Sequence, residues 1–175
     1  MMRSDAGPGP VRSTEQLSVS CDRSDEDHWF LGTLATIKAA ATGTGGALSV
    51  VEFLHPSGFA TPGHIHHRAD EAFYVLSGSI RGFCGEQQWQ AGTGAFVWLP
   101  KGVPHGYCVD DGDPVRTLAI TLPGGFDTFV AEVGEPAPRH DLPQALVMPD
   151  IAVLLAAAAR DGQEILGPPP GQPPP

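Results

Sequence analysis

Three histidines fall within four positions near the middle of the chain, in the stretch "TPGHIHHRADEAFYVL". His64 and His66 are two residues apart, and on a β-strand the side chains at positions i and i+2 point to the same face. Both imidazoles can therefore reach one point, toward which Glu71 can face back from the apolar run "EAFYVL". Imidazole and carboxylate groups together suit a divalent transition metal. His67 has the opposite phase, so we expect it at the surface.

A fourth candidate ligand comes from the later stretch "GAFVWLPKGVPHGYCV". Here one strand is predicted to end at Pro100, the turn "PKGVP" follows, and His105 opens the next strand. A turn that delivers a single histidine to the start of a strand can bring it to the point that His64 and His66 share.

These two stretches resemble the two motifs of the cupin superfamily. The fixed positions of the first motif are occupied by Gly58, His64, His66, Glu71 and Gly78. The fixed positions of the second motif are occupied by Gly94, Pro100, Gly102 and His105, while Val109 stands where the motif ends in asparagine. That last position is not a metal ligand in the family, so the departure does not affect the metal prediction.

The resemblance implies an all-β fold, the cupin double-stranded β-helix or jelly-roll barrel. It also implies one divalent transition metal per chain (Fe, Mn, Ni, Co, Cu or Zn), held by His64, His66, Glu71 and His105. Four protein ligands leave coordination positions for water, dioxygen or substrate, which is typical of a catalytic site rather than a closed structural one.

The strand and turn pattern of the chain agrees with this fold class. Short runs rich in Val, Ile, Thr and aromatic residues, such as "GALSVVEFLH" and "VRTLAITLP", are bounded by Gly, Pro or Asp. Two short C-terminal helices are predicted: one after the double glycine of "PGGFDTFVAEVG", and one in "PDIAVLLAAAARDG" with Asp150 as N-cap and Gly162 as its end. We divide the chain into a disordered tail (1–24), a cupin barrel (25–135), a C-terminal helical segment (136–166) and a proline-rich tail (167–175).

Strand phase also predicts which side chains surround the metal. Phe73 and Val75 share the face of Glu71, and Tyr107 and Val109 share the face of His105. These four residues are expected to line an apolar substrate pocket, with ordinary barrel core as the alternative. Resemblance to quercetinase-like cupins implies that Glu71 is also the catalytic residue, a carboxylate that takes a proton from the substrate hydroxyl. An apolar pocket is expected to raise its pKa toward a value that suits this task.

Three classes of function remain open from the sequence. Resemblance to quercetin 2,3-dioxygenase-like cupins favours a metal-dependent dioxygenase that acts on an aromatic or phenolic, flavonol- or polyketide-like small molecule. The first alternative is a non-redox zinc cupin that catalyses cyclisation, isomerisation or a lyase reaction. The second is a ligand-binding cupin without turnover.

Composition restricts the partners. The formal net charge of −10 provides no basic surface for nucleic acid or anionic membranes. Three cysteines without a C-x-x-C motif predict a reducing, cytoplasmic location, and the longest apolar run is too short to span a bilayer. Because exposed strand edges invite pairing, and small cupins tend to pair, a homodimer is expected.

Overall fold

The computed structural model describes residues 27–145 and 149–167. Two antiparallel β-sheets pack face to face, and two short helices lie beside them. This arrangement confirms the predicted jelly-roll class with short C-terminal helices. The predicted disordered tail (1–24) lies outside the described residues, as does all but the first residue of the predicted proline-rich tail.

The larger sheet has seven strands in the order β11-β1-β2-β3-β10-β5-β8. Their bounds are β1 Asp27–Phe30, β2 Thr33–Ala39, β3 Ser49–His55, β5 Asp70–Ser77, β8 Phe96–Leu99, β10 Val115–Leu122 and β11 Glu135–Pro136. The smaller sheet has five strands in the order β12-β4-β9-β6-β7. Their bounds are β4 Gly63–His66, β6 Ser79–Cys84, β7 Gln87–Gly92, β9 His105–Val109 and β12 Gln163–Gly167.

The core lies between the two sheets, as strand alternation requires. Along β3 every second side chain is buried and the others are half-buried, while β10 buries alternate residues from Val115 to Thr121. Aromatic side chains fill much of this interior, and Phe30 packs against Phe53, Phe126 and Phe129 with ring centroids 5.5 to 6.3 Å apart. The two helices therefore extend the core of the barrel rather than lying apart from it.

Both predicted helices form. Helix α1 spans Phe126–Val133 and begins directly after the double glycine. Helix α2 spans Ile151–Asp161; the Asp150 side chain accepts hydrogen bonds from two backbone N–H groups of its first turn, and Gly162 ends it with a left-handed φ of 88°. Among the described residues, no helix is long and apolar enough to cross a membrane.

Three features depart from the simple strand pattern. The run "WFLGTLATIKA", which looks like one strand, is a hairpin because Leu31 and Gly32 both adopt positive φ between β1 and β2. Strand β7, rich in glutamine, has no strong sequence signal. Strand β12 follows α2 within the segment predicted as helical, and it pairs with β4. The proposed division at residue 135 stays a prediction.

Candidate metal centre

The four predicted ligands come together from both sheets. In the smaller sheet His64 of β4 lies directly opposite His105 of β9, and His66 follows on the same face of β4. Glu71 opens β5 in the larger sheet, where it lies opposite Leu99 on one side and Thr121 on the other. The site therefore lies between the sheets, near one end of the barrel.

The turns on either side of the ligands are bonded to each other. The Gly102 N–H donates to the carbonyl oxygen of His66 over 2.8 Å, and the Lys101 N–H donates to the carboxylate of Asp70 over 2.9 Å. Gly102 has a φ of 76°, a conformation that favours glycine. These bonds fix the β8–β9 turn, which carries His105, against the β4–β5 turn, which carries Glu71.

Backbone hydrogen bonds orient two of the imidazoles. Nδ1 of His64 lies 2.9 Å from the carbonyl oxygen of Pro62, and Nδ1 of His105 lies 2.8 Å from that of Val103. A carbonyl oxygen only accepts, so each Nδ1 carries a proton, and in the neutral form of each imidazole Nε2 presents its lone pair. A metal-binding histidine usually donates its other ring N–H to an acceptor of this kind, which fixes the tautomer and the orientation of the ring.

The ligand atoms converge on one point. One nitrogen or oxygen from each of the four buried side chains lies within 4.8 Å of those of the other three. The Oε2 atom of Glu71 is 3.4 Å from Nε2 of His105 and 3.8 Å from Nε2 of His66. Buried Glu71 Oε2 and His105 Nε2 have no hydrogen-bond partner, which is costly unless something else satisfies them. A divalent cation would satisfy both, so the donor set fits a metal.

Burial and mutual charge shift the pKa of each ligand in the metal-free cluster. Burial lowers the pKa of His64 to about 4 and also lowers the pKa of His66, although the Glu71 carboxylate opposes both shifts. Burial raises the pKa of Glu71, but the neighbouring imidazoles of His105, His66 and His64 outweigh it, and the net pKa is lowered. His105 shows the converse: burial lowers its pKa, and the adjacent Glu71 raises it above its usual value.

These shifts favour the protonation states that a metal requires. A carboxylate with a lowered pKa and two imidazoles with lowered pKa values are ready as ligands at neutral pH. His105 is the ligand whose proton competes with the metal. The four residues could therefore hold a divalent ion, and a mixed N/O donor set of this kind does not identify which one.

The four predicted pocket residues lie deeper in the barrel. Phe73, Val75, Tyr107 and Val109 are all buried in the hydrophobic core. Phe73 and Tyr107 make an edge-to-face contact with ring centroids 4.8 Å apart, and burial together with the charge of Glu71 raises the pKa of Tyr107 well above its usual value. Their assignment to the substrate pocket stays a prediction.

A cavity of about 410 Å³ adjoins the ligand cluster on the side of the helices. His66 and Thr121 border it at the metal end, and Phe126 of α1 lies with its ring centroid 6.2 Å from that of His66. Arg68 of the β4–β5 turn and Arg160 of α2 lie at its exposed rim. The double glycine before "FDTFVAEV" predicts the start of α1, but no local signal in the sequence connects that helix to the histidines.

His67 lies outside the ligand cluster, as its strand phase predicts. Its side chain is exposed, and its Nε2 lies 2.8 Å from the carboxylate of Glu164 in β12. The His67 N–H donates to the carbonyl oxygen of Gly162 over 2.8 Å. His67 thus connects the ligand strand to the chain that follows α2.

Comparison with known proteins agrees with the fold. The family model described as "Cupin domain" matches residues 50–121, which include all four candidate ligands. Quercetin 2,3-dioxygenase of Bacillus subtilis (strain 168) is 30% identical over 110 residues, which are 63% of this chain and 32% of that enzyme. The chain therefore spans about a third of the length of this curated relative.

One solved structure with a TM-score above 0.5 has the same fold. An RmlC-like cupin from Shewanella frigidimarina NCIMB 400 superposes with a TM-score of 0.55 at 16% identity, over 65% of this chain and 96% of that one. KdgF from Halomonas sp. matches with a TM-score of 0.49 at 21% identity, over 55% of this chain and 84% of that one. At 16% identity the likeness to the Shewanella cupin concerns architecture alone.

Proposed function

The chain belongs to the cupin superfamily, and from this premise we propose that it is a metal-dependent dioxygenase acting on an aromatic or phenolic small molecule of flavonol or polyketide type. One observation carries the proposal. Three buried histidines and Glu71 converge at a point bordered by a cavity of about 410 Å³, large enough for a flat aromatic molecule. The similarity to a quercetin 2,3-dioxygenase supports the reaction class.

Each ligand residue has a separable task in the proposed reaction. His64, His66 and His105 hold the ion, and Glu71 completes the set. A divalent transition metal bound there would supply open coordination positions for the substrate oxygen and for dioxygen, which is the oxidant. The carboxylate of Glu71 is the proposed acceptor of the proton from the substrate hydroxyl, which turns the substrate into an electron-rich phenolate or enolate.

The surroundings of Glu71 keep it ionised at neutral pH. The carboxylate is buried, but the neighbouring imidazoles lower its pKa in the metal-free cluster, whereas an apolar pocket alone would raise it. The proposed proton acceptor is therefore an ionised carboxylate that these imidazoles make a weaker base, and the apolar side chains of Phe126 and Phe129 line the adjoining cavity.

Dioxygen uptake tests the proposal directly. Protein purified without chelator is analysed for bound metal, and then reconstituted separately with Fe, Mn, Ni, Co, Cu or Zn. Quercetin serves as the probe substrate, and dioxygen consumption and loss of flavonol absorbance are recorded together. We expect the two rates to be equal with at least one redox-capable ion.

The alternatives give different results in the same assay. Substrate loss with zinc and without dioxygen uptake would support a cyclase, isomerase or lyase. Saturable binding with no loss of substrate under any ion would support a ligand-binding cupin. Either result would overturn the dioxygenase proposal.

We also propose that the chain forms a homodimer in the cytoplasm. Tyr74, Phe96 and Trp98 are 39%, 59% and 49% exposed, and they lie together on β5 and the edge strand β8. An aromatic cluster beside a strand edge that has no partner strand among residues 27–145 and 149–167 is a favourable contact surface for a second copy. The location rests on cysteine usage, since Cys84 and Cys108 carry free thiols.

A further inference from the structure

The geometry points to the cavity between α1, α2 and the β4–β5 turn as the chamber that admits and selects the substrate, with Arg68 contacting an anionic group on it. This inference rests on the proposed function and extends it to residues that follow the matched cupin domain. The chamber walls come largely from residues 123–161, whereas the family match ends at residue 121.

The chamber reaches the ligand cluster at its inner end. His66, a candidate ligand, and Thr121, which lies opposite Glu71 on β10, both border it. A molecule that occupies the chamber can therefore place an oxygen near the metal position without displacing core side chains. The buried residues Phe73 and Val75 offer no comparable opening.

The inner wall of the chamber is apolar and aromatic. Phe126 and Phe129 of α1 lie with ring centroids 5.9 Å apart, and Ala157 faces them from α2. Aromatic walls of this kind favour a planar aromatic ligand, because the rings stack or meet edge to face.

Of the four charged side chains that border the chamber, two form an ion pair with each other, Arg160 of α2 and Glu132 of α1. Asp161 accepts a hydrogen bond from the neutral amide of Gln163 over 2.8 Å and forms no ion pair with the described residues. Arg68 donates from Nη1 to the carbonyl oxygen of Arg160 over 2.7 Å, and it takes part in no ion pair with the described residues.

A guanidinium that bonds only a neutral carbonyl keeps its charge and further donors for an incoming anion. Its aliphatic stem is held in place, because the Cγ and Cδ atoms of Arg68 lie against Gly162, where an added Cβ would be 2.7 Å from Cδ. The preferred ligand is therefore a planar phenol that carries a carboxylate or phenolate group at its outer end.

Thr128 offers a way to block the chamber without touching the ligands. It borders the chamber from α1 and its side chain is exposed, so Thr128→Trp adds bulk without disturbing the core. The matched control is Ala159→Trp, which places the same side chain at an exposed position of α2 that does not border the chamber.

The test measures binding rather than turnover. Dissociation constants for 3-hydroxyflavone are measured by its fluorescence under argon, with the metal content of each protein determined in parallel. We expect Thr128→Trp to weaken binding by about tenfold or more and Ala159→Trp to change it by less than about twofold, at equal metal content. Equal binding by both variants, or no binding by the wild type, would overturn the inference.

A second measurement tests Arg68. Arg68→Met keeps the aliphatic stem on Gly162 and removes the charge. We expect it to weaken binding of the 4′-carboxylate of 3-hydroxyflavone several-fold more than binding of 3-hydroxyflavone itself, by roughly the strength of one charged hydrogen bond. Equal effects on the two ligands would overturn the role of Arg68.

These outcomes are distinguishable from those of the dioxygenase assay. Binding that Thr128→Trp blocks, in a protein that consumes no dioxygen with any ion, would support the chamber and overturn the reaction. Dioxygen uptake that Thr128→Trp leaves unchanged would support the reaction and overturn the chamber.

Discussion

His64 and His105 lie directly opposite each other on the adjacent strands β4 and β9, and their ring centroids are 4.5 Å apart. Two strands that meet only at the open end of the barrel thus bring together residues far apart in sequence. His66 completes the histidine set from the same face of β4, with its ring nearly parallel to that of His105. The metal site depends on this register, because a shift of one residue would turn each histidine to the other face.

The variants His66→Ala and His67→Ala test whether strand alternation, rather than closeness in sequence, decides which histidine binds the metal. We expect His66→Ala to lose most of the bound metal, because a buried ligand is removed, whereas His67→Ala retains about one equivalent. Elemental mass spectrometry on both purified proteins measures the difference. Equal metal content in the two variants would show that the β4 ligands are wrongly assigned.

The ligand set could be predicted from the sequence because it depends mostly on local geometry. The alternation of β4 fixes His64 and His66 on one face, and a turn with a left-handed Gly102 fixes the start of β9 at His105. The resemblance to the cupin motifs then supplies the pairing of the two stretches, which no local pattern contains. Strand alternation also predicted the burial of Phe73 and Tyr107, because they lie on the same strand faces as Glu71 and His105.

The chamber could not be predicted, because it depends on long-range packing. The helical face of Phe126 and Phe129 was evident in the sequence, but its position beside His66 follows from the docking of α1 onto the barrel. Strand β12 is a similar case. Its residues show little strand signal, and its pairing with β4 opposite His66 becomes possible only after α2 has returned the chain to that edge.

Glu71→Gln tests the proposed proton transfer. The amide keeps the shape of the side chain and one oxygen able to bind the metal, but it cannot accept a proton at neutral pH. We expect kcat with quercetin to fall by roughly 10²–10⁴-fold, the usual contribution of a general base. The measurement is steady-state dioxygen uptake at saturating metal, with metal content checked in the same samples.

Glu86→Gln is the matched control, because Glu86 is exposed in the turn between β6 and β7. It should retain the wild-type kcat. If Glu71→Gln held its metal and turned over at the wild-type rate, Glu71 would be a ligand without a role in proton transfer.

Trp98→Glu tests the proposed dimer. Trp98 of β8 lies opposite Ala72 of β5, beside the cross-strand pair of Tyr74 and Phe96. A charge in the centre of this aromatic surface should prevent a second copy from covering it, because the carboxylate would have to be desolvated. Sedimentation velocity is expected to show a dimer for the wild type and a monomer for the variant.

Leu155→Glu provides the comparison, since Leu155 is exposed on α2, away from the aromatic surface. It should sediment as the wild type does. A wild-type monomer, or a dimer that Trp98→Glu leaves intact, would exclude this face as the interface.

His55 predicts how stability depends on pH. Its side chain is fully buried at the end of β3 away from the metal site: Nε2 bonds Thr117 over 3.0 Å, Nδ1 has no partner, and the rings of Phe53 and Phe59 flank it. Burial lowers its pKa from 6.5 to about 3. Between these values the unfolded chain binds a proton that the folded chain does not. Proton binding by His55 in the unfolded chain therefore lowers the free energy of unfolding as pH falls below 6.5.

His55→Phe should remove this contribution while keeping a ring among its aromatic neighbours. Between pH 6 and pH 4, we expect the free energy of unfolding of the wild type to fall more steeply than that of the variant, by about 1.4 kcal/mol per pH unit. Urea unfolding of the metal-free proteins at several pH values measures both slopes, and the metal-binding histidines contribute equally to each. Parallel curves for His55→Phe and the wild type would mean that His55 is protonated in the folded protein, and the dry aromatic environment described for it would be wrong.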